Sequence, residues 1–467
     1  MKVKLNNILS CSIFCCMFCV SSCSSDDIVS PEEQPVSNPA GAFEEDCKWI
    51  YSHMNHDYLW REDIPDSLDC NYGTDPVTFF KSLLSPKDRF SYCENNSSYT
   101  PTQERRNLGY AYQTYETEEG KTFRQVLYVT CPRLRSKGLR RGDIVVTSDN
   151  SKSLIRVRVD YKNTITPIDT IEASDMFGPI KTVYLDSIYN TPNIKIGYLC
   201  YLEFNEIAEL VPSFKRFYDA QIDEMILDLR YNPGGYVNTC KYLSNSIINE
   251  KGYNAIFQQC TYNDILTKEM ERETGSGVSI SRFSTPDNGE NILGYPMYGL
   301  NLKRIFVLTS KYSASASEAA IISMRPFMDV IIIGEQTYGK GVGSWTIRDN
   351  KYRYQLQPIT MRYHNALMET TPDNGITADY IVPDGYSTSK KELGDKSEPL
   401  LAKALDLILG TETSDGNEAG VAKSRLARKN TIKEIGIPSF FRLSPENTIY
   451  DNHLDNQEIL HNDNTHN

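Results

Sequence analysis

The chain has 467 residues, a net charge of −12 at pH 7, a mean hydropathy of −0.45 and 40% apolar residues. That length can build several domains around a sizeable core. The acidic balance makes the chain a poor partner for nucleic acid or an anionic lipid surface, both of which are bound through clustered cations.

Residues 1–22 differ in kind from the rest. Lys2 and Lys4 precede an apolar run from Ile8 to Val20, which ends in Val20-Ser21-Ser22-Cys23. A run of 13 residues is too short to span a bilayer, so the segment is expected to be a signal peptide. Cys23 directly after small residues resembles a bacterial lipobox, which implies a lipid on Cys23 as the membrane attachment; an ordinary signal peptide is the alternative. Ser24-Ser25-Asp26-Asp27 resembles the acidic signal of surface-exposed lipoproteins, so the expected location is the cell envelope, anchored to the outer membrane. Residues 23–43 are rich in Ser, Pro, Asn and acidic side chains and suit a solvated tether. The later cysteines Cys47, Cys70, Cys93, Cys131, Cys200, Cys240 and Cys260 are scattered without metal-type spacing. They are expected as free buried thiols, with room for one bridge among the first three.

Residues 44–99 read as a small helical domain with an aromatic core that includes Trp49, Ile50, Met54, Tyr58, Phe79, Phe80 and Leu83. Residues 100–186 change to short strands with glycine punctuation. In that stretch Gly138-Leu139-Arg140-Arg141-Gly142-Asp143-Ile144 leads into an apolar strand and resembles a PDZ domain. The resemblance implies that the amides of Leu108, Gly109 and Tyr110 hold a peptide's terminal carboxylate while the peptide adds to a sheet edge. An unrelated β-rich insert is the other reading, because the polar stretch Asp160 to Thr166 departs from a minimal PDZ pattern. Residues 187–410 alternate apolar strands, such as Met225 to Leu229, Ile305 to Leu308 and Val330 to Ile333, with helices. That alternation predicts a covered, largely parallel α/β sheet. Residues 411–467 form a polar tail that is expected to be poorly ordered.

Loops at the carboxyl ends of parallel strands form the ligand crevice of such a sheet. Asn232-Pro233-Gly234-Gly235 offers backbone amides at a helix start, where an oxyanion is favoured. Ser315, in Ser313-Ala314-Ser315-Ala316-Ser317-Glu318, lies at the next helix start, and the amide of Ala316 can serve the same anion. Lys340 follows Ser315 by 25 residues. A nucleophilic serine needs a base, and of six histidines only His364 lies in this region, so a lysine base is the economical reading. An exposed lysine is protonated at neutral pH, which makes burial a requirement; Tyr338, Val342 and Trp345 are the expected apolar walls. Asp228 and Arg230 are expected to brace the strand and turn. Gly334 to Lys340 imitates a phosphate loop but ends in Gly341 where Ser or Thr is needed, and Ser387-Thr388-Ser389-Lys390 lacks the motifs that accompany Ser-x-x-Lys enzymes. No metal or other cofactor is expected.

Asp228-Leu229-Arg230-x-Asn232-x-Gly234-Gly235, the Ser313–Glu318 run and Thr337-x-Gly339-Lys340-Gly341 together resemble the C-terminal processing (tail-specific) serine proteases, with likeness from about Trp49 through Asp384. The resemblance implies an α/β fold with a ClpP/crotonase-like core, a PDZ-like β-rich domain and a small N-terminal helical domain. It also implies Ser315 as nucleophile, Lys340 as general base, an oxyanion hole of Gly234, Gly235 and Ala316, and protein or peptide substrates cleaved near their C-termini. One position departs: the family carries a lysine-orienting glutamine four residues after the lysine, where this chain has Ser344. A non-catalytic peptide- or ligand-binding envelope lipoprotein on the same core is the other reading, and a protease held inactive by residues 100–186 a third.

Overall fold

The computed structural model describes residues 43–95, 109–147, 153–159, 165–172, 181–286, 291–349, 351–411 and 432–441. The signal segment, Cys23, the tether up to residue 42, Leu108 and most of the polar tail lie outside the described residues.

A six-stranded sheet organises the largest unit, in the order Tyr380–Ile381, Asp329–Gly334, Arg304–Thr309, Glu224–Asp228, Lys195–Tyr201 and Val183–Asn190. Neighbours run parallel except at the last pair, where Val183–Asn190 is an antiparallel edge. Successive side chains of each strand enter two different cores, as the period of two dictates. Met225, Leu227, Ile305 and Val307 pack with the helices Ile207–Ala220, Val237–Ile248 and Ala316–Met324. Ile226, Phe306 and Leu308 face Leu400, Leu401 and Ala404 of the helix Pro399–Leu409. Because both faces are covered, these strands are apolar at nearly every position, and each buried Leu or Ile contributes roughly 1.5–3 kcal/mol.

The N-terminal helices Glu44–Asp57 and Pro76–Ser82 do not close a core of their own. Trp49, Ile50, Met54, Tyr58, Phe79 and Phe80 share one core with Val342, Tyr354, Leu356 and Ile359. The strand Tyr92–Asn95 pairs antiparallel with Tyr354–Gln357, Tyr92 opposite Gln357. Residues 43–95 therefore pack directly beside the loop that carries Lys340.

The β-rich segment forms a second six-stranded sheet. Tyr110–Glu116, Thr122–Val129, Ile144–Thr147, Ser153–Val159 and Ile165–Glu172 follow one another in chain order. Its sixth strand, Lys433–Ile435, comes from the tail that was expected to be poorly ordered, and it lies antiparallel on Tyr110–Glu116. A three-residue strand in a polar tail has no pattern of its own; the neighbouring edge supplies its backbone partners. The strand Val183–Asn190 crosses the boundary expected at residue 186 and belongs to the larger sheet. No disulfide links Cys47, Cys70, Cys93, Cys131, Cys200, Cys240 or Cys260, so no bridge joins the first three; all are buried except Cys70, which is half-buried.

Candidate active site

Three adjacent parallel strands, Glu224–Asp228, Arg304–Thr309 and Asp329–Gly334, deliver their following loops to one end of the sheet. The turn 232–235, Ser315 and Lys340 lie on those loops, at the crevice position that strand order predicts.

Ser315 caps the helix Ala316–Met324 with φ 58° and ψ −115°. A residue with a side chain seldom occupies that region, at a cost of roughly 1–3 kcal/mol. Its amide donates to Glu318 Oε2 at 3.0 Å. The hydroxyl is buried, 1% of the residue being exposed, and its proton has no acceptor, while the Glu318 amide approaches Oγ as in a capping box. The corner thus presents an Oγ whose proton is uncommitted, and leaving such a donor unpaired costs a further ~1–3 kcal/mol.

Lys340 is 5% exposed. Its Nζ sits 5.3 Å from the centroid of the Phe90 ring. Burial pushes the amine down to about 8, against the opposing pull of Glu318 and Asp88. Ser315 and Lys340 line one narrow cavity with Phe257, Gln258, Tyr363 and Thr371, and its free space is about 10 Å³, roughly one water molecule. Ser315 Oγ and Lys340 Nζ are not hydrogen-bonded to each other. Unliganded catalytic pairs commonly tighten only when substrate arrives.

The walls of Lys340 differ from the expected set. Phe90 supplies the covering ring, backed by Tyr338 at 6.1 Å between centroids. Val342 joins the N-terminal core. Trp345 turns away to Tyr262, 6.3 Å between centroids. No local pattern could point to Phe90, which is distant in sequence.

Glu318 is the side chain that sequence reasoning left without a role. It is fully buried. Its Oε1 accepts from Thr337 Oγ1 and from the amide of Gly339 at 2.7 Å, and its Oε2 from the amides of Lys340 at 2.8 Å and Ser315 at 3.0 Å. One carboxylate therefore fastens the serine corner to the lysine loop. Burial pushes its carboxyl up, while these four donors favour the ionised form. The available signal was the spacing Ser-x-x-Glu at a helix start, which is a capping box.

The glycine turn requires a correction. Gly234 has φ +112°, and a Cβ there would lie 2.7 Å from Ser315 Cβ and 2.9 Å from the Ala316 amide nitrogen. Its own amide donates to Asn232 Oδ1 at 2.9 Å. That Asx-type bond uses the donor expected for an oxyanion hole, so Gly234 contributes close approach instead. A Cβ on Gly235 would lie 2.0 Å from the Phe204 carbonyl oxygen. Among the described residues the amides of Gly235 and Ala316 have no acceptor, which leaves them for an anion.

Behind the turn lies a buried charge network. Arg230 reaches Asp228 Oδ1 at 2.9 Å and both Glu398 oxygens at 2.6 and 2.9 Å, and the Tyr198 hydroxyl donates to Asp228 Oδ2 at 2.8 Å. Arg141, from the basic turn of the β-rich segment, donates to Asp384 Oδ1 at 2.8 Å and to the Tyr231 hydroxyl. Burial works against ionisation of Asp384, but Arg141 and Lys390 outweigh it and hold the carboxyl well below the usual range. Asp228 and Arg230 brace the turn from behind the crevice.

Ser344 Oγ accepts from Gln357 Nε2 at 3.1 Å and makes no bond to Lys340. His364 lines the cavity, but its nitrogens meet Thr261 Oγ1 at 3.0 Å and the Met368 carbonyl at 3.4 Å. Gly109, with φ +73°, leads into Tyr110 at the start of its strand. Among the described residues no group of three or more His, Cys, Asp or Glu side chains could hold a metal ion.

A model described as peptidase family S41 matches residues 195–382, and one described as the peptidase S41 N-terminal domain matches residues 47–92. A "Probable CtpA-like serine protease" of Staphylococcus epidermidis is 22% identical over 423 residues, 83% of this chain and 78% of that protein. "Carboxyl-terminal-processing peptidase 1, chloroplastic" of Arabidopsis thaliana is 24% identical over 180 residues, 35% of this chain, and the match spans 32% of that longer protein. Among solved structures, an S41 protease structure from Bacteroides fragilis superposes with a TM-score of 0.64 at 22% identity, covering 78% of this chain and 98% of its own. That likeness shows a shared fold.

Proposed function

This chain belongs to peptidase family S41, and we propose that it is a serine endopeptidase of the C-terminal processing class that works through Ser315 and Lys340 in the cell envelope. The observation that carries the reading is a buried serine hydroxyl whose proton has no acceptor, on a strained corner that lines one narrow cavity with a desolvated lysine.

An amine at about 8 is neutral in roughly one molecule in ten at pH 7, against about one in three thousand for an ordinary lysine. Lys340 Nζ takes the Ser315 proton as Oγ attacks the scissile carbonyl carbon. The carbonyl oxygen becomes an anion, which the amides of Gly235 and Ala316 stabilise in a site nearly free of water. The protonated amine then gives its proton to the departing amine, and the C–N bond breaks. Water, deprotonated by the same lysine, hydrolyses the acyl-serine and restores the pair. Gly109 and Tyr110, with Leu108, are the proposed anchor for a peptide's carboxylate. The envelope location rests on the sequence of residues 1–27, with Cys23 as the lipid-bearing residue.

Replacing Ser315→Ala tests the reading. Loss of cleavage of a protein substrate with an unchanged circular dichroism spectrum is expected. Cleavage retained in the variant overturns the assignment, and peptide binding without hydrolysis by the unaltered protein makes the chain a binding protein on this fold. Labelled fatty acid incorporated into the native protein but not into Cys23→Ala is the corresponding result for the anchor.

A further inference from the structure

We infer that residues 433–441 occupy, within the same chain, the binding site for the substrate strand, and that the peptides which displace them pair as a short strand and carry two consecutive large aromatic residues on the turn that follows, as Phe440 and Phe441 lie on the turn closed by the Phe441 amide and the Pro438 carbonyl at 3.0 Å. The word substrate rests on the peptidase reading; the occupied site does not.

The segment binds as a peptide would. Lys433, Glu434 and Ile435 stand opposite Glu116, Tyr115 and Thr114 in an antiparallel ladder. Further on, the Ser439 amide donates to the Tyr112 carbonyl at 2.9 Å, and the Tyr112 amide donates to Ser439 Oγ at 2.9 Å. The segment thus follows the free edge of Tyr110–Glu116 toward Gly109. Main-chain pairing of this kind is tolerant of sequence, and side-chain sockets supply the selectivity.

Those sockets are aromatic, and all but Tyr128 of the β-rich sheet belong to the loops of the proposed chemistry. Phe440 lies 5.4 Å from Tyr231, 5.9 Å from Tyr312 and 6.0 Å from Tyr128, measured between ring centroids. Phe441, 1% exposed, lies 5.2 Å from Tyr312 and 5.0 Å from Tyr338. Tyr231 belongs to the glycine turn, Tyr312 precedes Ser315 by three residues and Tyr338 precedes Lys340 by two. Two consecutive phenylalanines therefore rest on all three loops that carry the proposed chemistry. Glu434 is held by Lys311 at 2.7 Å and by the Tyr312 hydroxyl. An open surface hollow beside this segment, lined by Arg89, Lys311, Tyr312, Thr337, Tyr338 and Glu434, has about 450 Å³ of space, against about 10 Å³ around Ser315.

A tethered occupant acts at an effective concentration that reaches millimolar, so free peptides meet a strong internal competitor. The test uses the full chain with Ser315→Ala, which separates binding from cleavage. A fluorescein-labelled peptide of sequence Lys-Glu-Ile-Gly-Ile-Pro-Ser-Phe-Phe is titrated by anisotropy into this protein and into the same protein with Phe440→Ala and Phe441→Ala. The variant is expected to bind the peptide at least ~10-fold more tightly, and a peptide with both phenylalanines replaced by alanine is expected to lose that gain. Hydrogen exchange at residues 110–116 reports whether the segment has left. If the edge stays protected in the double variant, adding Glu434→Lys, which sets like charge against Lys311, releases it. Equal peptide affinity in parent and variant with the edge open to exchange overturns the inference. Binding contrast without cleavage of any peptide by the intact serine form defeats the peptidase reading alone, and cleavage without binding contrast defeats the occupied site alone.

Discussion

Replacing Lys340→Met should make the protein more stable and inactive at the same time. Methionine has a similar length and no charge to desolvate. The native amine titrates at about 8 instead of its ordinary 10.5, which at 1.36 kcal/mol per pH unit is a penalty of about 3 kcal/mol on the folded charged state. Lys340 is almost wholly buried, so solvent screening gives little discount. The sign follows from proton binding. Below pH 8 the amine is protonated in both states, and the full penalty opposes folding. Between 8 and 10.5 the unfolded chain binds more protons, so the stability of the wild type rises with pH; above 10.5 the penalty is gone. Urea unfolding of both proteins in a Ser315→Ala background, followed by fluorescence of Trp49, Trp60 and Trp345, measures the difference. The variant should be more stable by about 3 kcal/mol at pH 7 and by only about 1.4 kcal/mol at pH 9.5. Equal stability at pH 7, or a difference that does not shrink with pH, would refute a desolvated Lys340, and with it the base.

Glu318→Gln keeps the shape but turns one acceptor into a donor facing the donors of Ser315, Thr337, Gly339 and Lys340. It should cost about 2–4 kcal/mol in thermal unfolding and at least ~100-fold in kcat, since the serine corner and the lysine loop lose their common clamp. Gly234→Ala forces a Cβ to within 2.7 Å of Ser315 Cβ; kcat should fall while near-ultraviolet circular dichroism stays close to native, and unchanged kcat would remove the glycine from the site's geometry. Phe90→Ala admits water to Lys340 and moves its titration from about 8 back toward the ordinary value. The alkaline-rising limb of kcat/KM should shift upward accordingly, and an unmoved limb would show that other walls keep the amine dry.

What the sequence revealed and what it concealed divide along physical lines. The strands Glu224–Asp228, Arg304–Thr309 and Asp329–Gly334 were legible because burial on both faces leaves continuous apolar runs. Their order then placed Ser315, Lys340 and the glycine turn at one end of the sheet without any contact being known. Concealed features depend on partners remote in sequence or on side chains that bend back locally. Phe90 meets Lys340 through the docking of the N-terminal helices, and Lys433–Ile435 is a strand only because an edge awaits it. The bond from the Gly234 amide to Asn232 depends on one side-chain rotation, which reverses the role expected of that amide. Val183–Asn190 has a mostly half-buried edge pattern, so no alternation marked its sheet.

The same distinction bears on Ser344, the one position that departs from the expected motif. A glutamine four residues after the lysine would orient the amine through its side chain. In this chain the loop that carries the lysine is held through its main chain. Glu318 holds the Lys340 amide at 2.8 Å and the Gly339 amide at 2.7 Å, while Arg89 Nη2 holds the Gly339 carbonyl at 3.1 Å and the Asp373 carbonyl at 2.9 Å. With the backbone held on both sides of Gly339, the side chain extends beneath Phe90 and lines the cavity shared with Ser315. Ser344 meanwhile accepts from Gln357, which also takes hydrogen bonds from Thr346 at 2.8 Å and Tyr92 at 2.9 Å. The polar group behind the lysine loop thus belongs to a network tied to the N-terminal strand. Docking of residues 43–95 therefore helps to keep Lys340 dry through Phe90, and loosening that docking should move the amine toward its ordinary titration before it unfolds the sheet.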